Sequence, residues 1–207
     1  VGGAAVRALI EHDLTPVLLG ADPRRIEQIW EQLWWRLHYV GRGGIAVFAI
    51  SAIDIALWDL KGRCAGEPLW KLLGGHTNRV AAYAGGIDLQ FTLEALCEQT
   101  RNFLDRGFRA IKMKAGRTKL SEDVERVQAM REHLGPEFPL MADANMVWRV
   151  DEAIRAARAL RELDLFWLEE PTIPDDVNGH VKIAKEGGVP IAAGENLHTI
   201  YEFQHLI

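Results

Sequence analysis

Four short apolar runs that end abruptly in charge constrain the fold of this chain more than any other feature. They end at the segments Lys112-Met113-Lys114, Asp143-Ala144-Asn145, Glu169-Glu170-Pro171 and Glu195-Asn196. From Lys114 onward the leading charged residues follow at intervals of 29, 26 and 26 residues, and a polar turn and a helical pattern come after each run. This repeat predicts parallel strands that are covered by helices on both faces.

Three of these runs deliver a carboxylate to the same edge of the predicted sheet. The carboxyl ends of parallel strands open onto one set of loops, so we expect Asp143, Glu169 and Glu195 to lie close together. Three carboxylates repel one another unless a positive group lies among them, and a divalent cation with oxygen ligands is the simplest partner. Mg²⁺ needs its ligand atoms within roughly 4 Å of each other, whereas the outer ends of three flat strands diverge by roughly 10 Å. A sheet curled into a barrel is therefore favoured over an open one.

The chain divides into two parts with different patterns. Residues 1–78 are helical, with one helix expected from the Asp22-Pro23 start to about His38 and a second, mostly buried helix from Ile45 to Lys61. Residues 79–207 alternate strand and helix, with Thr92 and Ser121 as expected helix caps. The five expected strands cover 80–87, 110–114, 140–142, 165–168 and 191–193.

Five strands cannot close a barrel, since a complete (β/α)₈ barrel needs about 250 residues. The fold class that we predict is therefore α/β, a partial TIM-like barrel of about five β/α units preceded by a helical part. We expect the 207-residue chain to be a piece of a longer protein, cut at both ends, and to be inactive on its own.

Composition excludes several classes of function. The net charge of −5 and the absence of Lys/Arg clusters argue against a nucleic-acid partner. No apolar run approaches the roughly 20 residues that span a bilayer, so no membrane partner is expected. Cys64 and Cys97 suggest neither a disulfide framework nor a metal knuckle, which favours a reducing, cytoplasmic location.

The two lysines at the end of the second run suggest proton transfer. Lys112 and Lys114 share one face of a strand, because side chains alternate with a period of two, and each disfavours charge on the other. A lysine whose pKa is lowered in this way can act as a neutral base near pH 7. A cation beside it could bind a substrate carboxylate and stabilise the ene-diolate that forms when the alpha proton leaves. A base and a cation are what abstraction of a proton alpha to a carboxylate requires, and this pattern offers residues for both.

At these residues the chain resembles the enolase superfamily, in its mandelate racemase-like and muconate lactonizing enzyme-like branch. The matching segments are Lys112-Met113-Lys114, Asp143-Ala144-Asn145, Glu169-Glu170-Pro171, Gly194-Glu195-Asn196 and the helix over 49–62, which is similar to part of the family's α+β capping domain. The lysine base and magnesium are the superfamily's known pattern.

The resemblance assigns a role to each matched residue. Asp143, Glu169 and Glu195 would be the Mg²⁺ ligands, and Lys114 would be the base on one face of the substrate. Lys112 would touch the substrate carboxylate and lower the pKa of its neighbour, and Asn145 would be a substrate contact. The family's later strands, which supply an Asp–His pair and a further Glu, have no counterpart in this sequence. The family also suggests a small carboxylate substrate and a homo-oligomer in the full-length protein.

Several reactions remain open. Dehydration of a sugar acid is the leading hypothesis, because Arg42-Gly43-Gly44 and the helix after it resemble the acid-sugar dehydratases. A racemase, epimerase or cycloisomerase would use the same first step. The alternative from another class is a non-catalytic, truncated protein that binds metal or serves as a partner surface.

Overall fold

The computed structural model describes residues 2–207, which form two compact units. The first unit contains residues 2–80 together with 198–204, and the second contains residues 81–197 together with 205–207. No helix among the described residues is both long enough and apolar enough to span a bilayer.

The first unit is helical. Its elements are α1 (Gly3–Ala8), a π-helical turn (Leu9–Leu14), α2 (Thr15–Leu18), α3 (Ile26–Arg36), α4 (Gly44–Ala65) and α5 (Leu69–Leu72). Leu14, Leu33 and Leu37 are buried against Ala49 and Ile50 of α4 and form the centre of its apolar core.

Two expectations for this unit are wrong. Asp22 does not cap α3, which begins at Ile26; its carboxylate instead accepts hydrogen bonds from the backbone N–H and the guanidinium of Arg24. The second helix is not buried on most sides, since Phe48 and Ile55 are exposed. Only one face of α4 packs against the core, so its other apolar residues face outward.

The second unit contains a five-stranded parallel sheet whose strands follow one another in chain order. Its elements are β1 (Ala84–Gly85), α6 (Leu93–Asp105), β2 (Ile111–Lys114), α7 (Leu120–Leu134), β3 (Leu140–Asp143), α8 (Val150–Leu160) with a 3₁₀ turn (Arg161–Leu163), β4 (Leu168–Glu169), α9 (Val177–Gly187) and β5 (Ile191–Ala192). A last helix, α10 (Ile200–Leu206), follows. The predicted alternation of strand and helix is confirmed.

The apolar runs are buried as their composition predicts. Every residue of β3 is buried, and Met113 of β2 and Leu168 of β4 lie in the same core cluster as Val127 and Met130 of α7. β3 shows no alternation because it is covered on both faces, whereas β2 alternates buried Ile111 and Met113 with the half-buried Lys112 and Lys114.

Two local predictions fail in this unit. The first strand is restricted to Ala84–Gly85, and the flanking Val80 and Ile87 are almost fully exposed. Ser121 is not a helix cap, because Lys119 occupies the N-cap position of α7. The first turn of α7 is tied instead by buried Asp123, whose carboxylate accepts hydrogen bonds from the backbone N–H groups of Gly116 and Arg117. The Thr92 cap of α6 is confirmed, since its hydroxyl accepts from the Ala95 N–H.

A buried ion pair anchors the end of β2. Asp88 Oδ1 accepts a hydrogen bond from the Lys114 backbone N–H at 2.9 Å and lies 3.4 Å from Arg126 Nη2. The same guanidinium donates to the backbone carbonyls of Asp88 and Phe91, at 2.8 and 2.7 Å. The loop after β1 and helix α7 therefore hold the backbone that presents Lys114.

Asp88→Ala should lower the free energy of unfolding by about 3–5 kcal/mol, because it leaves the Arg126 charge buried without its partner. Urea denaturation of the 207-residue chain measures this. Asp151→Ala breaks the exposed Arg155–Asp151 pair and is the matched control, with a far smaller expected effect. Equal losses in the two variants would contradict the anchoring role of Asp88.

Candidate functional site

The three acids predicted from the spacing meet at the carboxyl end of the sheet. Asp143 ends β3, Glu169 ends β4, and Glu195 lies in the turn after β5, where the Leu197 N–H donates to the Gly194 carbonyl. One carboxylate oxygen from each of the three acids lies within 4.8 Å of the others. Burial decreases along the series, from buried Asp143 through half-buried Glu169 to exposed Glu195.

Strand register aligns the charges. Lys114 is paired with Asp143 across β2 and β3, and Asp143 is paired with Glu169 across β3 and β4. Residues that are paired across parallel strands point to the same face of the sheet, so these side chains project together. The lysine two residues earlier, Lys112, projects to that face as well.

Both lysine amines converge on the acids. Lys114 Nζ lies 2.7 Å from Asp143 Oδ2, and Lys112 Nζ lies 3.4 Å from the same oxygen and 2.7 Å from Glu169 Oε1. The Asp143 side chain is only 1% exposed, so its charge is compensated mainly by these two amines. The structure thus places all five predicted charges in one cluster.

The acids, more than the neighbouring lysine, set the ionisation of Lys112. Burial lowers the pKa of its ammonium group, but the hydrogen bond to Glu169 and the charges of Glu169 and Asp143 together raise that pKa above its ordinary value. The nearest charges to Lys112 are carboxylates, and their attraction outweighs the effect of burial.

An aromatic pair that the sequence reasoning did not select supports the cluster. The Trp167 indole N–H donates to Glu169 Oε2 at 2.9 Å, while the other oxygen of that carboxylate faces Lys112. The Tyr83 ring packs edge-on against Trp167 and lies 5.5 Å below the Lys112 amine. Trp167 lies two residues before Glu169, so the strand period alone could have placed it on the site face.

Asn145, the predicted substrate contact, lies at the rim of the site. Its backbone N–H donates to Asp143 Oδ1 at 3.0 Å, and its φ of 44° is in the left-handed region that asparagine tolerates. This bond orients the Asp143 carboxylate, and the Asn145 side chain is exposed. Its predicted contact with a substrate stays a prediction.

A fourth carboxyl group lies behind the trio. Glu170 is 1% exposed, and one of its oxygens is buried with no hydrogen-bond partner among the described residues. Burial raises the pKa of this carboxyl; the hydrogen bond from Asn196 opposes the rise, and the charges of Glu195, Asp143 and Glu169 add to it. The surroundings of Glu170 therefore favour its neutral form more than water does, because burial and three nearby carboxylates both oppose a further negative charge.

The donor set fits a hard divalent cation. Three carboxylates without sulfur or imidazole favour Mg²⁺, Ca²⁺ or Mn²⁺ over the softer transition metals. Mg²⁺ is typically bound by few protein carboxylates and keeps several waters or substrate oxygens, which the exposed side of Glu195 would allow. The two amines that now lie on Asp143 and Glu169 supply the positive charge that such a cluster needs.

The fold is of the (β/α)-barrel class. Its five consecutive strands are parallel and lie in chain order, helices connect them, and the charged residues lie at their carboxyl ends. Residues 95–207 match the family described as "Enolase C-terminal domain-like", and residues 1–74 match "Mandelate racemase / muconate lactonizing enzyme, N-terminal domain". The chain therefore belongs to the enolase superfamily, in its mandelate racemase and muconate lactonizing enzyme branch.

Relatives and solved structures agree with this family. The chain is 61% identical over 206 residues to a 3,6-anhydro-alpha-L-galactonate cycloisomerase of Streptomyces coelicolor, covering 100% of the chain and 57% of the relative. It is 42% identical to an L-talarate/galactarate dehydratase of Salmonella typhimurium, covering 100% of the chain and 52% of the relative. The crystal structure of a racemase from Streptomyces coelicolor with bound magnesium superposes with a TM-score of 0.98 at 61% identity, covering 100% of this chain and 58% of that one. The chain spans about half the length of the curated relatives it matches.

Glu195→Gln should raise the free energy of unfolding by up to about 1 kcal/mol when a chelator removes divalent cations, since it removes one of three like charges from an exposed position. Within residues 2–207, lysine amines pair with Asp143 and Glu169, whereas no ion pair involves Glu195. Thermal or urea unfolding in EDTA measures the change.

Glu169→Gln is the comparison variant and should be destabilising, because it removes the carboxylate charge that the Lys112 ammonium faces at 2.7 Å. A loss in Glu195→Gln as large as that in Glu169→Gln would show that repulsion does not dominate at Glu195.

Proposed function

We propose that this chain carries the metal-binding and proton-abstracting part of a Mg²⁺-dependent enzyme that removes the proton alpha to a carboxylate. One observation carries the proposal: a trio of carboxylate oxygens lies within 4.8 Å, with two lysine amines at hydrogen-bond distance from the same acids. A structural role alone would not need three acids at successive strand ends with a pair of lysines facing them.

Asp143, Glu169 and Glu195 would hold the cation. Bound Mg²⁺ would stabilise the second negative charge that develops on the substrate carboxylate when its alpha proton leaves. Asn145 and Trp167 orient Asp143 and Glu169 through hydrogen bonds to the carboxylate oxygens, as outer partners of metal ligands commonly do.

The two lysines would divide the remaining work. Lys114 would take the proton: the C–H bond breaks, its electron pair stays on the substrate, and the proton passes to Nζ. Lys112, whose ammonium charge is favoured by its surroundings, would donate hydrogen bonds to the substrate carboxylate. The site at the carboxyl end of the strands would thus bind a small molecule that carries a carboxylate.

Two fates of the deprotonated sugar acid are supported by relatives. Loss of a hydroxyl from the beta carbon is dehydration, the reaction named for the 42% identical Salmonella relative. If the leaving oxygen belongs to a ring, it stays attached and the product is an isomer, a class of reaction consistent with the name of the 61% identical 3,6-anhydro-alpha-L-galactonate cycloisomerase. The higher identity favours cycloisomerisation, and the Arg42-Gly43-Gly44 segment favours dehydration. Racemisation, by return of the proton to the opposite face, is the third candidate.

The alternative is a non-catalytic protein that binds metal or a partner. Such a protein would need the three acids but not the two lysines. The chemistry of Lys114 therefore discriminates between the classes. Homo-oligomerisation of the full-length protein is proposed from the family.

Glu169→Gln should weaken Mg²⁺ binding to the 207-residue chain, because it removes the charge of a metal ligand. The loss should exceed the roughly ten- to hundredfold that follows when a residue hydrogen-bonded to a metal ligand is removed. Isothermal titration calorimetry with MgCl₂ measures this. Glu137→Gln, at an exposed position away from the sheet edge, is the matched control and should bind as the unaltered chain does. Unchanged affinity in Glu169→Gln would overturn the proposed metal site.

In a full-length protein that contains this chain, Lys114→Met should abolish exchange of the substrate's alpha proton with D₂O, because no base remains on that face. Incubation with a panel of sugar acids and their anhydro forms, followed by mass spectrometry, identifies the reaction. Loss of water indicates dehydration, a 2-keto isomer of the substrate indicates cycloisomerisation, and deuterium incorporation without either product indicates racemisation. Full exchange in Lys114→Met would exclude Lys114 as the base.

A further inference from the structure

The loops that carry the three acids are tied together by a small polar network behind the site. Asn196 Nδ2 donates to Glu170 Oε1 at 2.8 Å, and the backbone N–H of Met146 donates to the Glu170 carbonyl oxygen at 2.7 Å. Asn196 Nδ2 also lies 3.5 Å from the Met146 sulfur. The loops after β3, β4 and β5 therefore meet at one buried residue, Glu170: the loop after β3 bonds to its backbone carbonyl, and the loop after β5 bonds to its carboxyl group.

Each member of this network is close in sequence to one acid of the trio. Glu170 follows Glu169 directly, Asn196 follows Glu195 directly, and Met146 comes three residues after Asp143. A displacement of any member moves the backbone that presents its acid. The network thus joins the three backbone segments that present the carboxylates, although its own side chains are not part of the trio.

The backbone conformations show that this arrangement is imposed by its surroundings. Met146 and Glu170 have φ values of 63° and 40°, in the left-handed region that residues other than glycine seldom adopt. Such conformations persist only where neighbouring contacts determine them, and they cluster at functional sites. The hydrogen bond between the Met146 N–H and the Glu170 carbonyl joins the two strained residues directly.

The Glu170–Asn196 bond is the weak point of the network. Glu170 is 1% exposed, and within residues 2–207 Asn196 is the only residue that donates to its carboxyl group. Loss of the Asn196 amide would leave a buried carboxyl group with no donor, which strongly favours movement of the loop toward water.

We infer that Glu170 and Asn196 are positioning residues, whose hydrogen bond fixes Glu169 and Glu195 relative to each other and thereby sets the affinity of the trio for a divalent cation. The cation-binding half of this inference rests on the proposed function. The positional half concerns this chain's own loops and can be tested without metal.

The experiment compares Asn196→Ala with Asn102→Ala, a control at an exposed position on α6. Hydrogen exchange of the metal-free 207-residue chain is followed by mass spectrometry, and MgCl₂ is titrated by calorimetry. In Asn196→Ala we expect exchange of residues 145–147 and 194–197 to accelerate about tenfold, and Mg²⁺ affinity to fall about tenfold, within the range known for outer partners of metal ligands. The control should change neither.

A double-mutant cycle separates this role from general stability. If Glu170 and Asn196 act through each other, Glu170→Ala combined with Asn196→Ala should lose little more Mg²⁺ affinity than the more damaging single variant. Additive losses would overturn the inference. If Asn196→Ala does not fold, Asn196→Ser, whose hydroxyl is too short to reach Glu170, takes its place with the same expectation.

The outcomes distinguish the inference from the proposed function. Wild-type affinity and wild-type exchange in Asn196→Ala overturn the inference, and loss of binding in Glu169→Gln still supports the metal site. If the unaltered chain binds no Mg²⁺, the proposed metal site fails, and the exchange data alone decide whether Asn196 fixes the loops. Faster exchange with unchanged Mg²⁺ affinity overturns the link between position and affinity.

Discussion

The structure of the site depends on the register of three neighbouring parallel strands. Pairing of Lys114 with Asp143, and of Asp143 with Glu169, brings unlike charges side by side at the edge where the strands end. A slip by one residue would turn these side chains into the apolar layer beneath the helices. The buried residues of β2 and β3 prevent such a slip, so the hydrophobic core is what places the charged groups.

The same cluster shows why stability and function make opposite demands on this edge. Asp143 is buried and would be costly without the two lysine amines, while Glu195 has no cationic partner among the described residues. Glu195 therefore contributes least to the stability of the chain, yet it is the third carboxylate of the trio. Left-handed backbone at Asn145 and Glu170 adds local strain that the surrounding bonds must hold.

The limits of sequence reasoning are visible at particular residues. Charge at the ends of apolar runs identified five site residues, because strand period and spacing depend only on local order. Trp167 was not selected, and Asn196 was noted only as a member of the segment Gly194-Glu195-Asn196, because their importance lies in single hydrogen bonds to Glu169 and Glu170 that no spacing encodes. Ser121 was expected as a cap, but α7 has no side-chain cap; Asp123 in its first turn instead accepts hydrogen bonds from the Gly116 and Arg117 N–H groups of the preceding loop.

By itself, the sequence determined the order of strands and helices, the buried runs and the set of charges at one sheet edge, since these follow from the periodicity and placement of apolar residues. Only the tertiary structure decided which charges touch. It placed both amines on Asp143, raised the pKa of Lys112 through Glu169, buried Glu170 and joined three loops through Asn196. Those outcomes depend on distances between residues far apart in the chain, and Coulomb and hydrogen-bond energies change over a few ångströms.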